Sequence, residues 1–105
     1  MKERRVRFTA TARGHIDRER QWWLQHRDYP EIFAAELEDA MNILAVMPGA
    51  GNPYPAAGVA GLRRLYLEKV AHHIYYTFDI EQVIVRAFWG ARRGRGPVIR
   101  SSKSK

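Results

Sequence analysis

Apolar residues recur along this chain with two different periods, and the change from one to the other divides it. In "RRVRFTATA", Val6 and Phe8 alternate with Arg5, Arg7 and Thr9, which predicts a short strand over Val6–Thr9. Thr9 or Thr11 then suits a helix N-cap. In "ARGHIDRERQWWLQHRD", Ile16, Trp23 and Leu24 fall at i, i+7 and i+8 among mostly charged residues, so a helix near Ala12–Gln25 has one apolar stripe. Pro30 fits the first turn of a second helix near Glu31–Val46, whose stripe is Phe33, Leu37, Ala40, Met41 and Leu44. "MPGAGNPYPAAGVAG", Met47 to Gly61, is too rich in glycine and proline for a helix or strand and reads as a loop.

Period two returns after it. "LRRLYLEKV" predicts a strand over Arg64–Glu68 with Leu65 and Leu67 on one face and Arg64, Tyr66 and Glu68 on the other. "AHHIYYTFD" predicts His72–Phe78, with Ile74, Tyr76 and Phe78 opposed to His73, Tyr75 and Thr77. "EQVIVRAFWG" predicts Gln82–Phe88, with Val83, Val85 and Ala87 opposed to Ile84, Arg86 and Phe88. Glu68-Lys69 and Asp79-Ile80-Glu81 suit hairpin turns. The order β-α-α-β-β-β implies an α+β fold, with a helical hairpin packed on one face of a largely antiparallel four-stranded sheet. The other face stays open and carries Arg64, Tyr66, His73, Tyr75 and Arg86. Arg92, Arg93 and Arg95 follow the last strand, where Gly90 and Gly94 let the chain turn away. Residues 1–97 make a single domain, and 98–105 a basic, flexible tail.

Composition narrows the partners. The chain has 105 residues and a formal net charge of +7, from 18 Lys and Arg against 11 Asp and Glu. Such a charge on a small domain favours an anionic partner: nucleic acid, an acidic protein or an anionic surface. With no cysteine, disulfides and thiolate metal sites are excluded, and a reducing compartment is compatible. No apolar run is long enough to span a membrane, and no signal-peptide segment follows the basic N-terminus, so the expected location is the cytoplasm.

No cofactor motif is present: "GARRGRG" lacks the lysine and the following helix of a phosphate loop. His72 and His73 are adjacent on a strand and point to opposite faces, so they do not share a metal ion. His15 and His26 lack a carboxylate at metal spacing, and no metal site is expected. Trp22 and Trp23 read as packing within the helical hairpin. The tyrosines, histidine and arginines of the open face are either a solvated surface or groups that hold phosphates and stack on bases or on an acidic peptide.

The element order, with "FTATA", "GLRRLYL", "HHIYYTFD" and "VIVRAFWGARRGRGP", resembles the RelE/ParE superfamily of small basic toxins from bacterial type II toxin–antitoxin modules, from about Val6 to Pro97. The resemblance implies a toxin neutralised by an acidic-tailed antitoxin that wraps it with an amphipathic helix and an extended strand. RelE-like members cut mRNA on the ribosome, with arginines on the third and fourth strands, lysines on the second, and a tyrosine or histidine near the C-terminus. ParE-like members act on DNA gyrase without that set. Matched residue by residue, the third-strand arginine falls on His73 and the later arginine on Arg92. The second-strand basic pair falls on Arg64 and Tyr66, and the C-terminal tyrosine falls near Val98. Cleavage through the 2′-OH needs a proton acceptor, a proton donor and a cation; arginine supplies only the cation, which leaves His73 or Tyr75 to move protons. The ParE-like branch is therefore favoured, with a gyrase-directed, non-enzymatic action. A ribosome-dependent endoribonuclease using His73, Tyr75, Arg64 and Arg92 is the alternative, and a non-toxic nucleic-acid-binding module is the third reading.

Overall fold

The computed structural model describes residues 3–55 and 58–99. Strand β1 (Arg5–Phe8) leads into helices α1 (Ala10–His26) and α2 (Glu31–Val46). A single 3-10 turn (Pro48–Ala50) and a two-residue strand β2 (Asn52–Pro53) follow, then β3 (Arg63–Leu67), β4 (His72–Phe78) and β5 (Gln82–Gly90). Among the described residues the sheet has five strands in the order β1-β5-β4-β3-β2, with β1 parallel to β5 and the other pairs antiparallel. Hydrophobic periodicity predicts four strands and no regular structure between Met47 and Gly61. The fifth strand and the 3-10 turn lie in that segment because a buried side chain organises it. Tyr76 Oη donates to Pro48 O at 2.6 Å and accepts from Gly51 N at 2.9 Å, while the Arg63 guanidinium reaches Gly51 O at 2.8 Å.

Thr9 joins β1 to α1. Its backbone N–H continues the ladder to Val85 O at 3.0 Å, and its Oγ1 accepts from Ala12 N at 3.1 Å as the helix N-cap. The stripes of both helices bury Ile16, Trp23, Phe33, Leu37, Ala40 and Leu44 against Leu67, Ile74, Tyr76, Val83, Val85 and Phe88. Leu24, expected in the stripe, is 57% exposed, because i+8 has drifted off the buried arc. Trp22 is 40% exposed and lies outside the core; only Trp23 packs there. At the β4–β5 turn the Asp79 carboxylate accepts from the amides of Glu81 and Gln82, which hold its pKa below the ordinary value.

One irregularity re-aims the end of the last strand. Tyr75 pairs with Ala87 but Tyr76 pairs with Val85, so Arg86 is the extra residue of a β-bulge. Strict alternation puts Ala87 toward the helices and Phe88 on the open face. The bulge reverses this: Phe88 enters the helix-side core, and Ala87 joins Leu62 and Tyr75 on the other face. That second face is not open. Tyr54, Val59, Trp89 and Ile99 pack over it, and the chain after β5 folds back across the sheet instead of turning away. Residues 100–105 of the expected tail lie outside the described residues. No helix among the described residues is long and apolar enough to cross a membrane.

Candidate functional site

The second face holds a shallow cleft of about 190 Å³. Its floor comes from β3, β4 and β5, through Arg64, His73, Tyr75 and Trp89, and its rim from Tyr54 and the turn Gly90–Gly96. Tyr75 is 2% exposed, a correction to its place on an open face. The Tyr54 ring meets it edge-on at 5.1 Å, and Arg64 Nη1 donates to its hydroxyl at 3.5 Å. The Arg64 guanidinium also stacks 4.6 Å from the centroid of Tyr54. Trp89 Nε1 donates to Arg95 O at 2.8 Å and pins the returning chain, and the Arg93 guanidinium lies 4.1 Å from the Trp89 centroid. Two of the cleft's arginines are thus set over aromatic rings, which positions their edges for an anion.

His73 is half-buried between Tyr66 and Tyr75, with ring centroids 5.1 and 6.0 Å away. Burial lowers its pKa from the ordinary value, and the nearby charges of Arg64 and His72 lower it further. Tyr66 is exposed beside it.

The structure brings Arg64, His73, Tyr75, Arg93 and Arg95 to one cleft, with Tyr66 at its margin. It separates the other two candidates. Arg86, at the bulge, donates through Nε to Thr77 Oγ1 at 2.9 Å and lies outside the cleft. Arg92 lines a different groove, beside α1. Tyr54 and Trp89 are the residues that sequence reasoning missed: one lies inside an apparent loop, the other beyond the expected end of the strand. Among the described residues, no group of three His, Asp or Glu could hold a metal ion.

A second histidine supports the site from behind. β1 ends at Phe8, opposite Val85, so the N–H of Phe88 has no strand partner on that side. It donates instead to His15 Nδ1 at 3.2 Å, and the His15 ring meets Trp89 edge-on at 5.3 Å. Burial, then Arg18 and Arg93, lower the His15 pKa. Both histidines set a sign for pH dependence. As pH falls through about 6.5, the unfolded chain takes up protons at His15 and His73 before the folded chain does, so the unfolding free energy falls with pH. Melting temperatures between about pH 5.5 and 7.5 should show this slope, and His15→Gln with His73→Gln should flatten it. A slope that persists in the double variant would count against this origin.

The family model for the ParE toxin of type II toxin–antitoxin systems, parDE, matches residues 6–94. This chain belongs to the ParE toxin family. It is a toxin of the RelE/ParE superfamily of type II toxin–antitoxin systems. Two solved assemblies contain similar chains. One is the RelBE2 toxin–antitoxin complex of Mycobacterium tuberculosis, with 27% identity and a TM-score of 0.62 over 87% of this chain and 95% of the other. The other is the chromosomal ParDE toxin–antitoxin system from P. aeruginosa, with a TM-score of 0.66 over 86% of this chain and 98% of the other. At 15% identity the latter likeness shows the fold alone. No curated protein sequence matches the chain.

Proposed function

We propose that this ParE-family toxin arrests growth through DNA gyrase, without cutting RNA, and is neutralised by an acidic antitoxin. The observation that carries the reading is His73. It stands where the resemblance to the nuclease branch calls for an arginine, and its lowered pKa leaves it uncharged at neutral pH. A neutral imidazole does not stabilise the charge that builds on a phosphorane. Val98, at the position of the C-terminal proton donor, is an exposed valine with no proton to give. Tyr75, the other proton carrier on β4, is buried under Tyr54 and the returning chain.

An antitoxin fits what the fold leaves uncovered. Leu24, Tyr29 and Ile32 are exposed where the helices join, and Ile43, Val46 and Met47 at the far end of α2. An amphipathic helix would cover them, and an acidic tail would meet the cationic cleft and the +7 charge. Co-expression with the neighbouring reading frame should yield a stable complex that buries roughly 2,000 Å² or more.

One contact favours a second reading. Tyr66 and His73 are adjacent and reachable from solvent, and with Arg64 they form a base, an acid and a cation. A ribosome-dependent endoribonuclease would use that trio. Primer extension on cellular mRNA after induction, beside a gyrase supercoiling assay, separates the two. The gyrase reading expects inhibited supercoiling, no codon-positioned cuts, and His73→Ala with toxicity largely intact. It also expects Arg92→Ala with Arg93→Ala to weaken toxicity, each charge-assisted contact being worth on the order of 1.5–3 kcal/mol. Cuts that vanish in His73→Ala overturn it.

A further inference from the structure

We propose that the groove between α1 and the ends of β4 and β5 binds a single strand of nucleic acid, with a base stacked against Trp22 and phosphates on the surrounding cations. This surface adjoins the Arg64–His73 cleft, sharing Trp89, Gly90 and Arg93 with it, and the proposal stands whichever target the toxin has. Two clefts, of about 300 and 520 Å³, run together here and share Glu19, Trp22, His72, Gly90 and Arg93.

Charge is the first argument. Arg18, Arg27, Lys69, Arg92 and Arg93 line the combined groove. The carboxylate at its centre, Glu19, has its Oε1 3.2 Å from His72 Nε2. Among the described residues, none of the five cations lies within ion-pair distance of a carboxylate. Only Glu68 adds a further negative charge to the lining. Five cations against two carboxylates leave the groove net positive, and a polyanion laid along it relieves the repulsion while releasing its counterions.

The second argument is the ring at the centre. Trp22 lines both clefts and is 40% exposed. The His26 ring stacks on it at 4.8 Å with an interplanar angle of 17°, and the Arg27 guanidinium sits 4.9 Å from its centroid. The indole is thus held in place by its own helix, with part of it still exposed. An unpaired base has the shape and the π-face to extend such a stack; a duplex keeps its base faces hidden. An acidic peptide would satisfy the cations and leave the indole unused. Phosphates alternating with bases match cations on either side of an indole.

The test uses the full-length chain and fluorescence anisotropy of fluorescein-labelled oligothymidylate and oligouridylate of about 12 nucleotides. Saturable binding should weaken with salt. Trp22→Ala should weaken it by at least about tenfold, and Trp22→Phe, which keeps a ring, should retain most of it. Lys69→Gln with Arg92→Gln should reduce the salt slope by about 0.7 for each phosphate that is no longer neutralised. Arg13→Gln, the loss of one positive charge elsewhere on α1, should change little. Tighter binding of either strand supports the groove and tells which sugar it takes. Three results overturn the proposal: no saturable binding at low salt, an affinity that Trp22→Ala leaves unchanged, or an oligoglutamate peptide that binds the groove more tightly than both strands.

Discussion

Replacing Phe88 with alanine is expected to lower the unfolding free energy by about 4 kcal/mol. The side chain is 3% exposed and packs edge-on against Phe33 at 5.7 Å and face-to-face with His72 at 4.6 Å. Truncation removes its burial and leaves a cavity between α2 and the sheet. A domain of this size has only about 5–15 kcal/mol to lose, so a large part of the population would unfold on mild warming. Strict strand alternation with an open second face would make the same residue a solvated one, whose loss would cost within about 0.5 kcal/mol. Urea denaturation therefore tests the bulge at Arg86 as directly as it tests the core. An unchanged midpoint in Phe88→Ala would mean that the bulge is absent.

Gly51→Ala should cost about 3 kcal/mol although it adds a single methyl group. A Cβ at this position would lie 2.6 Å from Arg64 O, 2.9 Å from Arg64 C and 2.7 Å from the Tyr76 hydroxyl. Arg64 is fixed by its pairing to Asn52 on one side and Tyr75 on the other, so its carbonyl has nowhere to go. The tyrosine must give way and loses its bonds to Pro48 and Gly51. Tyr76→Phe breaks the same two bonds without the clash and should cost about 2 kcal/mol. The double variant should cost less than the sum, because both changes dismantle one network. Full additivity in denaturation midpoints would show that the two sites act independently.

Much of this fold is legible in the sequence because period and burial agree. The helices and the three long strands fall where the 3.6 and 2 periods put them, since each stripe meets an apolar partner. What stays hidden depends on partners distant in sequence. Nothing near Arg86 announces a bulge; it follows from how β5 must meet both β4 and β1. Tyr75 reads as a surface residue because its strand alternates, and it is buried because Tyr54, Ile99 and the turn after Gly90 come to lie over it. The basic end of the last strand reads as one cluster. The structure sends Arg95 to the sheet face and Arg92 to the groove beside α1, with Arg93 lining both.

The parallel pairing of β1 with β5 has a consequence for how the molecule is made. Arg5 pairs with Gln82, and Phe8 with Val85, so the first strand to leave the ribosome waits for the last. Contacts this distant in sequence are slow to form, because a long loop must close before they return any stabilisation. At about 5–20 residues per second, synthesis of the chain takes roughly 5–20 s, and for most of that time the helical hairpin has no sheet to pack against. The cleft, built on β4 and β5, comes into being only once β5 has been made. A message cut short before the codons of β5 would release a chain unable to hold even its own first strand, and so a harmless one.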